Sequence, residues 1–244
     1  MEKLNLSSVY GTVGIDPYIE QVQNFDRKME MYRKNDMALL RDTLQSVLNA
    51  TTDKKSAEYR YNHCKMVAAL SEDLAFEITR ERTSTNSTDF IIVKTIEYLN
   101  DFWIFSMLGF IHDMYKYAET AKVNHGKIAS KQFSLYCKIA DVEMSGIVLQ
   151  MKEALLFHSN KDMTIIPNPF FSILCDADVL SHITTDTIEQ YMRKANLTED
   201  QAFKKIITLL LNYVPKSSVN GFNKIKDDLL NKLSVNMQIK RWLD

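Results

Sequence analysis

Glycine and proline are scarce in this chain, six and four among 244 residues. All-β folds and βαβ arrays need turn residues at every connection, so the shortage argues against them and for an all-α fold. Cysteine is scarce too. Cys64, Cys137 and Cys175 are odd in number, far apart and set in apolar patterns, which argues against a disulfide framework and for reduced, buried thiols. In a reducing compartment triplets such as Asn49-Ala50-Thr51 have no meaning as glycosylation sites. Long apolar runs are missing. The longest, around 102–111 and 206–211, fall well short of the roughly 20 residues that cross a bilayer. The opening Met1 to Ser8 has no apolar core of a secretory signal, so the expected location is cytoplasmic, without a membrane partner. Neither sign of charge dominates. Thirty Lys and Arg against 31 Asp and Glu leave a net charge of −1, and long nucleic acid, which usually needs a basic track, is not an expected partner.

Helical periodicity is abundant. Asp16-Pro17 pairs a capping side chain with proline at the first helical position, and Ile19, Val22 and Phe25/Met29 then hold one apolar face. Further helices are expected over about 36–48, 57–80, 90–116 with a break near Asn100, 127–137 and 142–158. After a loop with two prolines at 160–169, helices follow over about 170–183, 185–195, 199–213 and 217–233. Thr198-Glu199-Asp200-Gln201 is a capping-box pattern. With no linker, repeat or low-complexity segment, the expectation is one helical bundle over 56–244. Residues 1–55 form a helical extension packed on it.

Five histidines stand out: His63, His112, His125, His158 and His182. His112-Asp113 ends the apolar run Ile104 to Ile111, and Lys116 follows the histidine by four residues. His63 lies on a stripe that otherwise reads as core. His125 sits at a helix start, and His158 ends an apolar helix. Asp176 and Asp178 lie inside another apolar segment. Each has a plain explanation as a core polar group or a helix cap. A shared one is that imidazoles and carboxylates from successive helices meet inside a bundle around a divalent metal ion. Such ligands suit manganese, iron, nickel or cobalt, and with more carboxylate or water also magnesium.

The order His … His-Asp … His … His … Asp resembles the HD superfamily of metal-dependent phosphohydrolases over residues 58–185. Asn62-His63-Cys64-Lys65-Met66-Val67 is similar to the family's opening helix, and Leu108 to Lys116 to its apolar-then-HDxxK signature. His125-Gly126-Lys127-Ile128-Ala129-Ser130 resembles its HG-x-I-G-A segment with larger residues at the small positions. Asp176-Ala177-Asp178-Val179-Leu180 is similar to the closing Ala-Asp-x-Leu element. Tyr115 stands where the signature often has glycine. No GYP element is present, which disfavours the cyclic-di-GMP branch.

The resemblance implies an HD-type helical domain with extra N- and C-terminal helices. It implies that His63, His112, Asp113 and Asp178 ligate a first metal ion. Asp176 then lies behind the ligands or caps a helix. His125 and His158 hold a second ion with Asp113 bridging, or else contact phosphate or protonate the leaving group. Lys116 is a point-charge phosphate contact. Asp113, Lys116 and His125 carry the chemistry, with one metal ion or two. The implied reaction is hydrolysis of a phosphate ester by a metal-activated water, with a nucleotide or small nucleotide derivative as substrate. The alternatives are a phosphodiesterase or nuclease acting on cyclic or linear oligonucleotides, and a non-catalytic nucleotide-binding protein. The assembly stays open between a monomer and a homodimer.

Overall fold

The structure is a computed structural model that describes residues 15–30, 53–80, 102–114, 116, 124–144, 146–160 and 168–237. Among the described residues the regular structure is entirely helical, with nine α-helices and no strand. They are α1 (Ile15–Lys28), α2 (Lys54–Arg80), α3 (Trp103–Ile111), α4 (His125–Ile139), α5 (Gly146–Phe157), α6 (Pro169–Leu180), α7 (Thr185–Ala195), α8 (Glu199–Leu211) and α9 (Val219–Met237). The helix expected over 36–48, the stretch 90–101 and most of the proline loop lie outside the described residues.

The long helix α2 organises the fold. Its buried positions Ala57, Arg60, Cys64, Val67, Leu70 and Leu74 recur every three or four residues, which turns one stripe inward. Helix α3 lies against that stripe with almost no gap. A Cβ at Gly109 would sit 2.5 Å from the Ala68 Cα, so a hydrogen atom there is what lets the two backbones touch. Helix α6 packs against α2, α3 and α5, and all twelve of its residues are buried. A helix apolar on every side belongs at the centre, and its two aspartates are the exceptions to explain. Asn168 starts it by accepting the Phe171 amide at 3.1 Å, with Pro169 in the first turn.

Helix α1 is sealed onto this core. Phe25 stacks on Trp103 with centroids 6.2 Å apart, and Trp103 Nε1 donates to Asp26 Oδ1 at 2.6 Å. Phe25 at one end of the chain and Leu233 at the other belong to the same contiguous set of buried side chains.

Helix boundaries differ from the periodic pattern where a cap intervenes. Helix α5 starts at Gly146, not at Val142. Helix α4 ends with Asp141 in the left-handed region at φ 54°. The Val142 and Asp141 amides donate back to Cys137 O at 2.8 Å and Lys138 O at 3.3 Å. That pairing satisfies the last carbonyls of α4 and stops the helix. Helix α6 likewise ends at Leu180 before reaching Ile183, and α8 at Leu211 before reaching Tyr213. The capping box at α8 forms as its spacing suggests, with Gln201 N to Thr198 Oγ1 at 3.3 Å and Thr198 N to Gln201 Oε1 at 2.9 Å.

Candidate metal centre

Helix ends deliver most of the site. His112 and Asp113 follow directly on α3, His125 opens α4, His158 follows α5, and Asp178 lies in the last turn of α6. His63 alone comes from a helix interior, on the buried stripe of α2. The first turn of α4 presses on the end of α5, where a Cβ at Gly126 would meet the Leu156 carbonyl oxygen. This contact brings the His125 and His158 rings to 5.0 Å between centroids.

All six residues expected to be ligands meet. His63 Nε2 lies 3.2 Å from His112 Nε2, 3.3 Å from Asp178 Oδ1 and 3.4 Å from Asp113 Oδ2. His112 Nε2 is 3.8 Å from Asp178 Oδ1 and 3.7 Å from Asp113 Oδ2. On the other side of the same carboxylate, Asp113 Oδ1 lies 3.2 Å from His125 Nε2 and 3.5 Å from His158 Nε2. Asp113 therefore faces imidazoles on both sides, His63 and His112 through Oδ2 and His125 and His158 through Oδ1.

The donor set fits a divalent cation. His112 Nδ1 donates to Gly109 O at 2.6 Å and His158 Nδ1 to Leu155 O at 2.7 Å. A carbonyl oxygen can only accept, so Nδ1 carries a proton in both, and in a neutral ring Nε2 then presents a lone pair. His158 Nε2 and Asp113 Oδ1 are buried and make no hydrogen bond. Buried acceptors facing one another without a donor are costly unless a cation lies among them. His63, His112 and Asp178 form one set whose ligand atoms fall within 4.8 Å of one another, and His112, Asp113 and His158 form a second. Two donors held at about 2.1 Å by one ion stand about 3.0 Å apart at right angles and about 3.4 Å apart at the tetrahedral angle. The observed edges of the first set, 3.2, 3.3 and 3.8 Å, lie close to that range.

The field in the pocket keeps the ligands in their binding forms. Burial alone would push the Asp113 carboxyl up. The Arg60 guanidinium and the Lys116 ammonium beside it outweigh burial and hold it well below the usual carboxylate range. Burial dominates for His112, whose imidazole is held well below its ordinary value despite Asp113 and Asp178. His125 is pushed down to about 4, again by burial first. Both rings are thus neutral in ordinary solution, able to offer a lone pair.

Neither a protein-family model, nor a curated protein, nor a solved structure matches the chain.

Two further residues, Asp176 and His182, stand outside the six. Asp176 is not a neighbour of the ligands. Residues two apart on a helix point about 200° from one another, so Asp176 faces away from Asp178. It accepts from Tyr213 Oη at 2.7 Å, Lys216 N at 2.9 Å, Ser217 N at 2.9 Å and Ser217 Oγ at 2.5 Å. Its work is to tie α6 to the turn between α8 and α9. His182 packs its ring on His63 with centroids 5.5 Å apart. Lys116 stands beside the cluster, with Nζ 2.9 Å from Asp113 Oδ2 and its side chain 36% exposed.

Three further residues belong to the site. Arg60, buried one turn before His63, donates from Nη1 to Asp113 Oδ2. Tyr59 stacks on His63 with centroids 6.1 Å apart, and burial raises its hydroxyl to about 12. Ser181 Oγ lies 3.0 Å from His63 Nδ1. The signal for Arg60 was its position at i−3 from His63 on an apolar stripe; Ser181 carried none.

Proposed function

We propose that this cluster is the active centre of a metal-dependent phosphohydrolase of the HD type. The proposed reaction cleaves a phosphate ester of a nucleotide or small nucleotide derivative. One observation carries the reading: four imidazoles and two carboxylates, distant in sequence, converge with at least two bare Nε2 lone pairs and a buried, unsatisfied carboxylate oxygen. His63, His112, Asp113 and Asp178 would hold a first divalent ion, and His125 and His158, with Asp113 shared, a second. When bound, such an ion supplies Lewis acidity toward a phosphoryl oxygen and toward the attacking water.

The chain's own groups do the rest. Lys116 and His125 are the more exposed members, at 36% and 16%, against 1% for His158, so substrate approaches from their side. Lys116 offers positive charge to phosphoryl oxygens as negative charge accumulates there. His125, neutral and half-buried, is placed to accept or pass a proton at Nε2. Next to the site, α2 and α7 bound a groove of about 500 Å³ that shares Tyr59 with it. Asn62, Glu58 and Gln190 line that groove and suit the hydroxyl and amino groups of a nucleoside.

The test is metal analysis of purified protein, then a phosphate-release screen over nucleotides with added manganese, cobalt or magnesium. At least one bound ion per chain and metal-dependent release are expected. A metal-free chain that takes up no added ion would end the proposal. One observation favours the rival, non-catalytic reading. Arg60 and Lys116 already neutralise Asp113 within the pocket, so a chain that binds nucleotide without an ion and without turnover would fit that arrangement instead.

A further inference from the structure

The candidate ligands differ in what holds their far nitrogen. His112 and His158 each donate Nδ1–H to a carbonyl three residues earlier in their own chain segment, Gly109 O and Leu155 O. Their orientation is fixed by local backbone. His63 has no such arrangement. Its Nδ1 meets the hydroxyl of Ser181, 118 residues later, at 3.0 Å. That hydroxyl lies 2.7 Å from the Asp178 carbonyl oxygen. Ser181 is 2% exposed, and it directly follows the helix that carries Asp178.

We infer that Ser181 is the positioning residue of the centre: it fixes the His63 tautomer and registers His63 against Asp178. A serine hydroxyl has one hydrogen. Spent on the nearer acceptor, the Asp178 carbonyl, it leaves Oγ as an acceptor, and His63 must supply the hydrogen from Nδ1. Nε2 of His63 then faces His112 and Asp178 as a bare lone pair. The relay runs from His63 Nδ1–H to Ser181 Oγ, and from Ser181 Oγ–H to Asp178 O. One small side chain thus couples a ligand on α2 to the helix that bears another. Groups that hold a ligating histidine from behind raise its basicity and fix its ring, and their loss typically costs about 10–100-fold in metal affinity.

The inference deepens the metal reading and rests on it: with an ion bound, the His63 hydrogen lies on Nδ1, whereas without one Nε2 can donate to His112 Nε2 at 3.2 Å. Cobalt(II) alone, titrated into the full chain and followed by visible absorption, is expected to bind Ser181→Ala about 10–100-fold more weakly than wild type. Ser181→Thr, which keeps the hydroxyl, is expected to restore most of that loss. Long-range proton–nitrogen spectra of the zinc-loaded chain are expected to show hydrogen on Nδ1 of His63, exchanging slowly with water in wild type and faster in Ser181→Ala. The His112 and His158 signals stay unchanged. Thermal unfolding of both variants separates a local effect from loss of fold. A wild-type spectrum with the hydrogen on His63 Nε2 overturns the inference. So does a Ser181→Ala variant with wild-type affinity and spectrum, or a folded Ser181→Thr as weak as the alanine variant. A wild type that takes up no cobalt(II) removes the metal reading and the inference with it, whereas uptake that is equal in wild type and Ser181→Ala removes the inference alone.

Discussion

Asp113 and Asp176 are both carboxylates sunk in the same helical core, 1% and 0% exposed, yet their surroundings push them in opposite directions. Asp113 faces a guanidinium and an ammonium, and is held well below the usual range although burial opposes this. Asp176 faces a phenol, a hydroxyl and two backbone amides, and burial, the largest influence, raises it in spite of those donors. Neutral donors can anchor a carboxylate without overcoming its loss of water; full charges can overcome it. Depth of burial alone therefore does not set the charge of a carboxylate. The charge of its partners decides it.

The sharpest way to break this contrast is to delete each group in turn. Asp113→Ala is expected to abolish metal uptake and metal-dependent phosphate release, as is His112→Ala, whereas Asp176→Ala keeps metal uptake in the folded fraction. Equal loss of bound metal in folded Asp113→Ala and Asp176→Ala would erase the distinction. Next in size, Arg60→Met leaves the Asp113 charge supported by Lys116 only. In chelator-treated protein it is expected to lower stability by about 3 kcal/mol, read by urea denaturation. Asp176→Ala leaves the Tyr213 and Ser217 donors without their acceptor and is expected to lower stability by about 1–3 kcal/mol.

Acidity sharpens the contrast further. The folded-state value of Asp113 is depressed, so its contribution is present above the ordinary value of 3.8 and is lost as pH falls below it. The folded-state value of Asp176 is raised, so its contribution is present below 3.8 and is lost as pH rises through the elevated value. Urea midpoints of metal-free wild type against Asp176→Asn are expected to fall relatively as pH rises from about 4; a flat difference would contradict the raised value. The smallest effect is expected at His182→Ala. It removes a ring packed on His63 but no ligand atom, and most of the turnover should survive in a phosphate-release assay.

The helical class was legible because it depends on local chemistry: few turn residues, apolar spacing of three and four, and the Thr198–Gln201 box. Boundaries slipped where Asp141 took a left-handed conformation that nothing in its neighbourhood advertises. The candidate ligand histidines were legible through the resemblance, which carries both their types and their order along the chain. Asp178 against Asp176 was legible in part, through the likeness to the closing Ala-Asp-x-Leu element. Arg60 was hidden because arginine on a stripe ordinarily reads as a solvated edge, and only its meeting with Asp113 across 53 residues makes it part of the site. Ser181 and Tyr59 were hidden for the same reason. Their roles exist only once α6, α7 and α2 are docked.

Gly109 contributes no functional side chain, yet it governs how closely the two histidine-bearing helices approach. Its missing methyl group allows α3 to rest on the backbone of α2, while its carbonyl oxygen steers the His112 ring. Widening that seam by one carbon would spread the imidazoles of residues 63 and 112. The spacing of the candidate donors is thus set from outside their own set, by the thinnest point between two rods.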